Sequence, residues 1–112
     1  MNVSKELSMS VVSLLAESEK RHDMGALDSL HWDVLVAVMQ AQRAGQTVTN
    51  QDLVDMKFTS RSSTYRKIAD MRKLDILSEK WNKGTCALEL GPKADAFFDE
   101  ADKGLRALLK TA

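Results

Sequence analysis

The chain has 112 residues with 16 basic and 16 acidic side chains, so its formal charge is zero, and its length suits one hydrophobic core. No apolar run approaches the roughly eighteen residues of a membrane span, and Met1–Glu6 lacks the basic end of a signal peptide, so we expect a cytoplasmic protein without membrane partners. The single Cys86 excludes an internal disulfide, and with only two histidines beside it there is no zinc-ligand spacing, so we expect neither metal nor cofactor.

The first two predicted elements are amphipathic helices. Between Val3 and Glu19 apolar residues recur at helical spacing, which predicts an N-terminal association helix within residues 1–20. Its apolar face consists of Val3, Leu7, Val11, Leu14 and Leu15. Asp28 or Ser29 can cap a second helix that ends near Gly45. The apolar face of this second helix is wide, which predicts a central position in the core.

Two capped helices follow in the middle of the chain. Thr49 is a strong N-cap, and Asp52 completes a capping box for a third helix that runs to about Lys57. Thr59 or Ser60 caps the fourth helix. Its predicted buried edge is Thr64, Ile68 and Met71. The opposite face is polar and basic, with Ser62, Arg66, Ala69 and Lys73 at its centre and Ser63, Tyr65 and Asp70 on its flanks.

A short β-hairpin is predicted next. Ile76–Trp81 and Thr85–Leu90 have strand-like composition, and a three-residue turn over residues 82–84 would place Gly84 in the left-handed position. Cys86 alternates with Leu88, so we expect the thiol to face the core rather than to sense redox state.

The last predicted element is an amphipathic C-terminal association helix over residues 92–110, which Pro92 begins. Its apolar stripe is Ala94, Phe98, Ala101, Leu105 and Leu108. Gly104 lies inside this helix at a cost of about 1 kcal/mol relative to alanine. The close approach of another helix would explain the glycine, and a weak helix tail is the alternative.

Basic side chains are concentrated in one stretch of this neutral chain. Residues 57–83 hold eight lysines and arginines but three aspartates and glutamates, a net of +5, and the rest of the chain therefore sums to −5. Such asymmetry is typical of a surface for a polyanion. A solvated charged helix face is the alternative interpretation.

The predicted order of elements is that of a winged helix-turn-helix: mainly α with a small β-hairpin. We expect a single winged-helix domain over residues 1–112, with the winged helix-turn-helix core at residues 28–90 between the two amphipathic association helices. From Leu30 to about Leu109 the chain resembles the MarR type of transcription regulator. The resemblance is carried by the helix start Thr49-Asn50-Gln51-Asp52-Leu53, the run from Ser63 to Met71, the exit Ile76-Leu77 into the wing, and Leu90-Gly91-Pro92-Lys93-Ala94.

Two departures from the MarR pattern concern the wing. Asn82-Lys83-Gly84-Thr85 stands where such wings usually carry an Asp-x-Arg element, whose arginine enters the minor groove. Asp75 replaces the glycine that commonly precedes the first wing strand. The related PadR type of winged helix shares much of the same pattern.

The resemblance implies that the fourth helix enters the DNA major groove, that the third crosses the backbone, and that the wing meets phosphate or the adjacent minor groove. Arg66 is the first choice for reading a base edge, because its guanidinium can bond guanine O6 and N7 together. The predicted DNA-binding residues are Ser60, Arg61, Ser62, Ser63, Tyr65, Arg66, Lys67, Lys73, Lys80 and Lys83. The lysines among them, together with Lys57, are predicted phosphate contacts.

The terminal helices are expected to form a homodimer, because their apolar stripes exceed what the small core requires and because such helices pair in the MarR type. The predicted interface consists of Leu7, Val11, Leu14, Phe98, Ala101, Leu105 and Leu108. The alternative packs the N-terminal helix on the C-terminal helix of the same chain and leaves a monomer.

Together these features predict a sequence-specific double-stranded DNA-binding transcription regulator, a homodimeric repressor on a palindromic operator. The alternative is a winged-helix protein-interaction module in a larger complex, which the zero net charge and the missing wing arginine favour. No enzymatic activity is expected, because neither His22 nor His31 has partners at the spacing of a catalytic site. A small-molecule effector would suit such a regulator, but no residue pattern points to one.

Overall fold

A computed structural model describes residues 5–111, which contain five helices and one β-hairpin. The helices are α1 (Lys5–Arg21), α2 (Ser29–Arg43), α3 (Asn50–Asp55), α4 (Arg61–Lys73) and α5 (Pro92–Thr111), and the strands are β1 (Leu77–Asn82) and β2 (Thr85–Leu90). The predicted fold class, mainly α with a small hairpin, is confirmed. The predicted start of α1 at Val3 lies outside the described residues. No helix within residues 5–111 is long and apolar enough to cross a membrane.

The chain divides into two compact units. One is the continuous stretch Leu27–Ala94, here called the core unit, and the other joins the chain before Leu27 to the chain after Ala94 and is here called the terminal unit. The core unit holds α2, α3, α4 and the hairpin.

The interior of the core unit is built from the apolar faces that the periodicity predicts. α2 supplies Val34, Leu35 and Val38, while α4 supplies Ile68 and Met71, and all five side chains are at most 1% exposed. α3, β1 and β2 add Leu53, Ile76, Leu77 and Leu88. The amide of Leu88 donates to the carbonyl oxygen of Val48 at 2.8 Å, so the wing is tied to the segment that precedes α3.

Three predicted N-caps are confirmed in the core unit. The Thr49 hydroxyl accepts from the amide of Asp52, whose carboxylate accepts from the amide of Thr49, which completes the capping box of α3. Ser60 caps α4 through its hydroxyl, which accepts from the amide of Ser63 at 3.2 Å. Asp28 caps α2, and here the third helical residue, His31, closes the box through its ring nitrogen. α3 ends at Asp55, two residues before the predicted end.

The wing turn has two residues, so the predicted three-residue turn is wrong. Asn82 pairs with Thr85, which leaves only Lys83 and Gly84 between the strands. Both have positive φ, 52° for Lys83 and 80° for Gly84, as a type I′ hairpin requires. Gly84 does occupy a left-handed position, but Lys83 occupies another, and a lysine there carries no turn signal in the sequence.

Cys86 is half-buried rather than part of the core, because it pairs with the exposed Trp81 near the tip of the hairpin. Burial, followed by the nearby Glu79 carboxylate, raises the pKa of the Cys86 thiol. A thiol with a raised pKa is a poor nucleophile at neutral pH.

In the terminal unit, Gly104 of α5 lies against Leu14 of α1. A Cβ atom added at Gly104 would stand 2.6 Å from Leu14 Cδ1 and 2.7 Å from Leu14 Cδ2. The close helix approach that explains this glycine is therefore confirmed. At the other end of the same helix pair, the Glu100 carboxylate receives Arg21 Nη1 at 2.7 Å and His22 Nε2 at 3.0 Å.

Candidate nucleic-acid interface

The exposed face of α4 is the one that the helical periodicity predicts. Ser62, Arg66, Ala69 and Lys73 are exposed, while Thr64, Ile68 and Met71 are at most 1% exposed on the opposite side. The buried Thr64 hydroxyl donates to the carbonyl oxygen of Ser60 at 2.9 Å, so its burial leaves no polar atom unsatisfied. The first turn of α4 is thus fixed from both the Ser60 cap and the Thr64 side chain.

The guanidinium of Arg66 is available to an external ligand. Its Nη2 donates to Ser63 Oγ at 3.4 Å, a long contact within the same helix face. Within residues 5–111 the structure gives Arg66 no carboxylate partner. Arg61, one turn earlier, lies over the ring of Tyr65 with Cζ 5.4 Å from the ring centroid, a cation–π geometry that fixes two further predicted contact residues next to each other.

Lys67 differs from the other predicted contact residues. Its ammonium forms an ion pair with Asp28 Oδ2 at the start of α2, and only 19% of its side chain is exposed. The hydrogen bond from Lys67, and then that from the His31 amide, lower the pKa of Asp28 to about 2. In the sequence Asp28 is recognisable only as a helix cap. Its contact with α4 is not predictable from local pattern, because Lys67 lies 39 positions away.

The C-terminal end of α4 is tied to the wing. Arg72 Nη2 lies 2.5 Å from Glu79 Oε1 of β1, and this pair neutralises one cation of the basic stretch. Lys73 and Lys80 are exposed on either side of that connection, and Lys83 is exposed at the hairpin tip. Lys57, just after α3, is exposed as well.

All ten predicted DNA-binding residues lie in the core unit. Among the described residues, nine of the ten form no ion pair with a carboxylate, and the exception is Lys67. The basic character of the stretch therefore survives on the surface at Arg61, Arg66, Lys73, Lys80 and Lys83, whereas Lys67 and Arg72 are committed to internal ion pairs. Within residues 5–111 no group of three histidine, cysteine or acidic side chains could hold a metal ion.

The predicted dimer residues all lie in the terminal unit. Ala101 is buried within the chain, and the other six, Leu7, Val11, Leu14, Phe98, Leu105 and Leu108, are half-buried. Leu14 faces Gly104 of the same chain, as the monomeric alternative predicts for that residue. Sequence periodicity missed Met9 and Val12, and it placed Leu109 beside the predicted stripe of α5 rather than within it. All three side chains are more than half exposed.

No protein-family model matches the sequence, and no curated protein resembles it significantly. Solved structures do share its fold. A MepR mutant from a multidrug-resistant S. aureus clinical isolate matches with a TM-score of 0.64 at 10% identity, covering 100% of this chain and 86% of its own. A MarR-like transcriptional regulator from Thermotoga maritima matches at 0.62 and 13% identity, covering 99% and 81%. The adhesin competence repressor of Streptococcus pyogenes matches at 0.56 and 22% identity, covering 99% and 79%.

Proposed function

The chain has the winged-helix fold of the MarR-type regulators, and from this premise we propose that it is a double-stranded DNA-binding transcription regulator that acts as a homodimeric repressor on a palindromic operator. The observation that carries the proposal is the exposed, polar and basic face of α4, with Arg66 at its centre and, within residues 5–111, no carboxylate partner for that arginine. The similar structures include a MarR-like transcriptional regulator and a repressor, which supports a non-enzymatic role for this chain.

In the proposed complex α4 enters the major groove and the wing approaches the neighbouring backbone. Arg66 reads a base edge, and Ser60, Arg61, Ser62, Ser63 and Tyr65 surround it on the same end of α4. Lys73, Lys80 and Lys83 contact phosphates and supply affinity without reading sequence. Two reading helices about one helical turn apart would follow from a two-fold symmetric dimer, which is why a palindrome is expected.

The test of DNA recognition is fluorescence-anisotropy binding to a randomised duplex pool, with selection of the tightest fraction at two salt concentrations. Recovery of a palindromic motif, with affinity that falls steeply with salt, is the expected result. Arg66→Ala should weaken binding to the selected site by about 1–3 kcal/mol and relax preference at one base pair. Arg106→Ala removes the same charge from an exposed position of the terminal unit and serves as the matched control.

Equal losses for Arg66→Ala on selected and random DNA would contradict the reading role of Arg66.

The second candidate function is a protein-interaction module. The ion pairs Lys67–Asp28 and Arg72–Glu79 favour it, since they remove two cations from the basic surface. Failure of the pool to enrich any motif, with weak binding that vanishes at moderate salt, would favour this second candidate over the first.

The dimer is supported by the exposed apolar side chains of the terminal unit, since a monomer would leave Met9, Val12 and Leu109 in water. Half-buried Leu7, Val11, Phe98, Leu105 and Leu108 extend the same apolar surface in this proposal. Light scattering at micromolar concentration should give twice the chain mass of 12.5 kDa. A mass of 12.5 kDa would remove the dimer and, with it, the expectation of a palindrome.

A further inference from the structure

The N-terminal cap of α2 makes direct contact with the reading helix α4. Asp28 Oδ1 accepts from the amide of His31 at 2.9 Å, while the other carboxylate oxygen binds Lys67 of α4. His31 Nε2 lies 3.4 Å from Asp70 Oδ2, also on α4. Lys67 and Asp70 are three residues apart and therefore lie on the same side of the helix. Two side chains of one cap thus engage two successive turns of the reading helix.

His31 contacts both helices through its two ring nitrogens. The amide of Asp28 donates to His31 Nδ1 at 3.0 Å, and His31 Nε2 lies 3.4 Å from Asp70 Oδ2. The His31 side chain is buried, with 7% of the residue exposed. A histidine that closes a capping box with one nitrogen and reaches a neighbouring helix with the other couples the start of α2 to α4.

Lys67 has no free ammonium to offer a phosphate in this arrangement. Its side chain is 19% exposed and held by Asp28, whereas the adjacent Arg66 is exposed and, among the described residues, contacts only the Ser63 hydroxyl through its guanidinium. The sequence predicts phosphate contact for Lys67 because, without the structure, Lys67 is only one of several basic residues on a basic helix. The tertiary structure instead places this lysine between α4 and α2.

We propose that Asp28 and His31 are positioning residues for DNA recognition, which act through Lys67 and Asp70 to fix the rotation of α4 about its own axis. This inference rests on the proposed DNA-binding function. Apolar burial of Ile68 and Met71 attaches α4 to the core, but apolar contact is not directional. The polar contacts are directional and select one rotation among those that the apolar face tolerates.

Small rotations matter because base reading uses paired hydrogen bonds. A side-chain tip at the helix outer radius of about 5–6 Å moves by about 1 Å when the helix turns by about 10°. A bidentate contact of Arg66 with guanine requires both donors within hydrogen-bond distance, so a shift of that size weakens it. Phosphate contacts by flexible lysines adjust to the same shift. Loss of the positioning contacts therefore lowers sequence preference more than affinity for random DNA.

Asp28→Asn is the most informative variant. Asparagine caps helices as well as aspartate does, so α2 keeps its cap while the charge that holds Lys67 is removed. Removal of a negative charge near bound DNA would by itself strengthen binding. The positioning role predicts the opposite sign: binding to the selected site should weaken by about two- to tenfold, which is the lower part of the coupling range for residues in contact. His31→Gln keeps a capping-box side chain and should lower preference through the lost bond to Asp70.

The salt dependence separates positioning from phosphate contact. The double variant Asp28→Asn/Lys67→Met should keep the native slope of log affinity against log salt, while a phosphate contact by Lys67 would lower that slope by about 1. Lys83→Met at the exposed wing tip is the matched control and should lower the slope. The single variant Lys67→Arg keeps a positive charge beside Asp28, so its sequence preference should stay close to that of the native chain. Thermal unfolding of each variant confirms that it is folded. If the double variant does not fold, the two single variants Asp28→Asn and Lys67→Arg, measured separately, are sufficient for the test.

The two hypotheses fail in different ways. A native chain that enriches no motif overturns the regulator and the positioning role together. A native chain that does enrich a motif, with Asp28→Asn binding as tightly as native or more tightly, overturns the positioning role alone. A lowered salt slope for the double variant would also overturn the positioning role alone, because it would show that Lys67 contacts a DNA phosphate.

Discussion

Gly91 joins the wing to α5, and its backbone lies directly against the chain that enters β1. Its amide donates to the carbonyl oxygen of Ile76 at 2.8 Å, and two residues later the amide of Lys93 donates to the carbonyl oxygen of Asp75 at 3.1 Å. A Cβ atom added at Gly91 would meet the Asp75 carbonyl, with its carbon at 2.7 Å and the Ile76 carbonyl carbon at 3.0 Å. These obstacles are backbone atoms, which cannot swing aside as a flexible side chain can.

Gly91→Ala should therefore destabilise the fold by about 2–4 kcal/mol. Overpacking of a tight site costs about 1–3 kcal/mol, and separation of the two segments weakens hydrogen bonds worth about 1 kcal/mol each. For a chain of this size such a loss corresponds to a fall in melting temperature of about 8–15 °C. Urea and thermal unfolding followed by far-UV circular dichroism measure both quantities.

Gly25→Ala is the control for Gly91→Ala. Beyond its two chain neighbours, no atom of the described residues lies within 4 Å of a Cβ added at Gly25, and its φ is outside the left-handed region. Alanine there should be neutral or stabilising by about 0.4–1 kcal/mol, because it restricts the unfolded chain. If Gly91→Ala melts within about 2 °C of the native chain, or no lower than Gly25→Ala, the steric reasoning is refuted.

Three further predictions follow from single features. Asp75 has a φ of 60°, so Asp75→Gly should relieve left-handed strain and stabilise by up to about 1 kcal/mol; a lower free energy of unfolding in urea would contradict this. Lys83→Met should weaken binding to all duplexes alike without changing the selected motif, and a changed motif would assign Lys83 to base reading. Lys67 lowers the pKa of Asp28 to about 2, and Ser18, Arg21 and His22 lower that of Glu100. Lowered carboxylate pKa values stabilise the folded state above the unfolded value of about 4, and the contribution is lost as pH falls toward the folded values. The free energy of unfolding should fall between about pH 5 and pH 2.5, less steeply for Asp28→Asn, and equal slopes would contradict the assignment to Asp28.

Local chemistry allowed much of the fold to be predicted. The caps and the stripe Thr64, Ile68 and Met71 depend on residues three or four positions apart, so the sequence determined the stripe and the cap at Thr49 directly. It left Asp28 or Ser29 and Thr59 or Ser60 open for the other two caps, and the structure has Asp28 and Ser60 there. The exposed face of α4, with Arg66 at its centre, followed from the same period. The wing turn was predicted one residue too long because a lysine in the left-handed region leaves no mark in the sequence.

Contacts between distant segments were decided only by the tertiary structure. The link from Asp28 to Lys67 spans 39 positions, and neither residue type distinguishes an internal ion pair from a phosphate contact. Leu14 packs on Gly104, whereas Met9 of the same helix is exposed. This difference between the two side chains depends on where α5 lies against α1, so the sequence of α1 alone does not reveal it. Helical period and capping act over a single turn, and so the sequence by itself determined the elements and their faces. Which charged side chains remain outside internal ion pairs depends on which helices pack together, and that was decided by the tertiary structure.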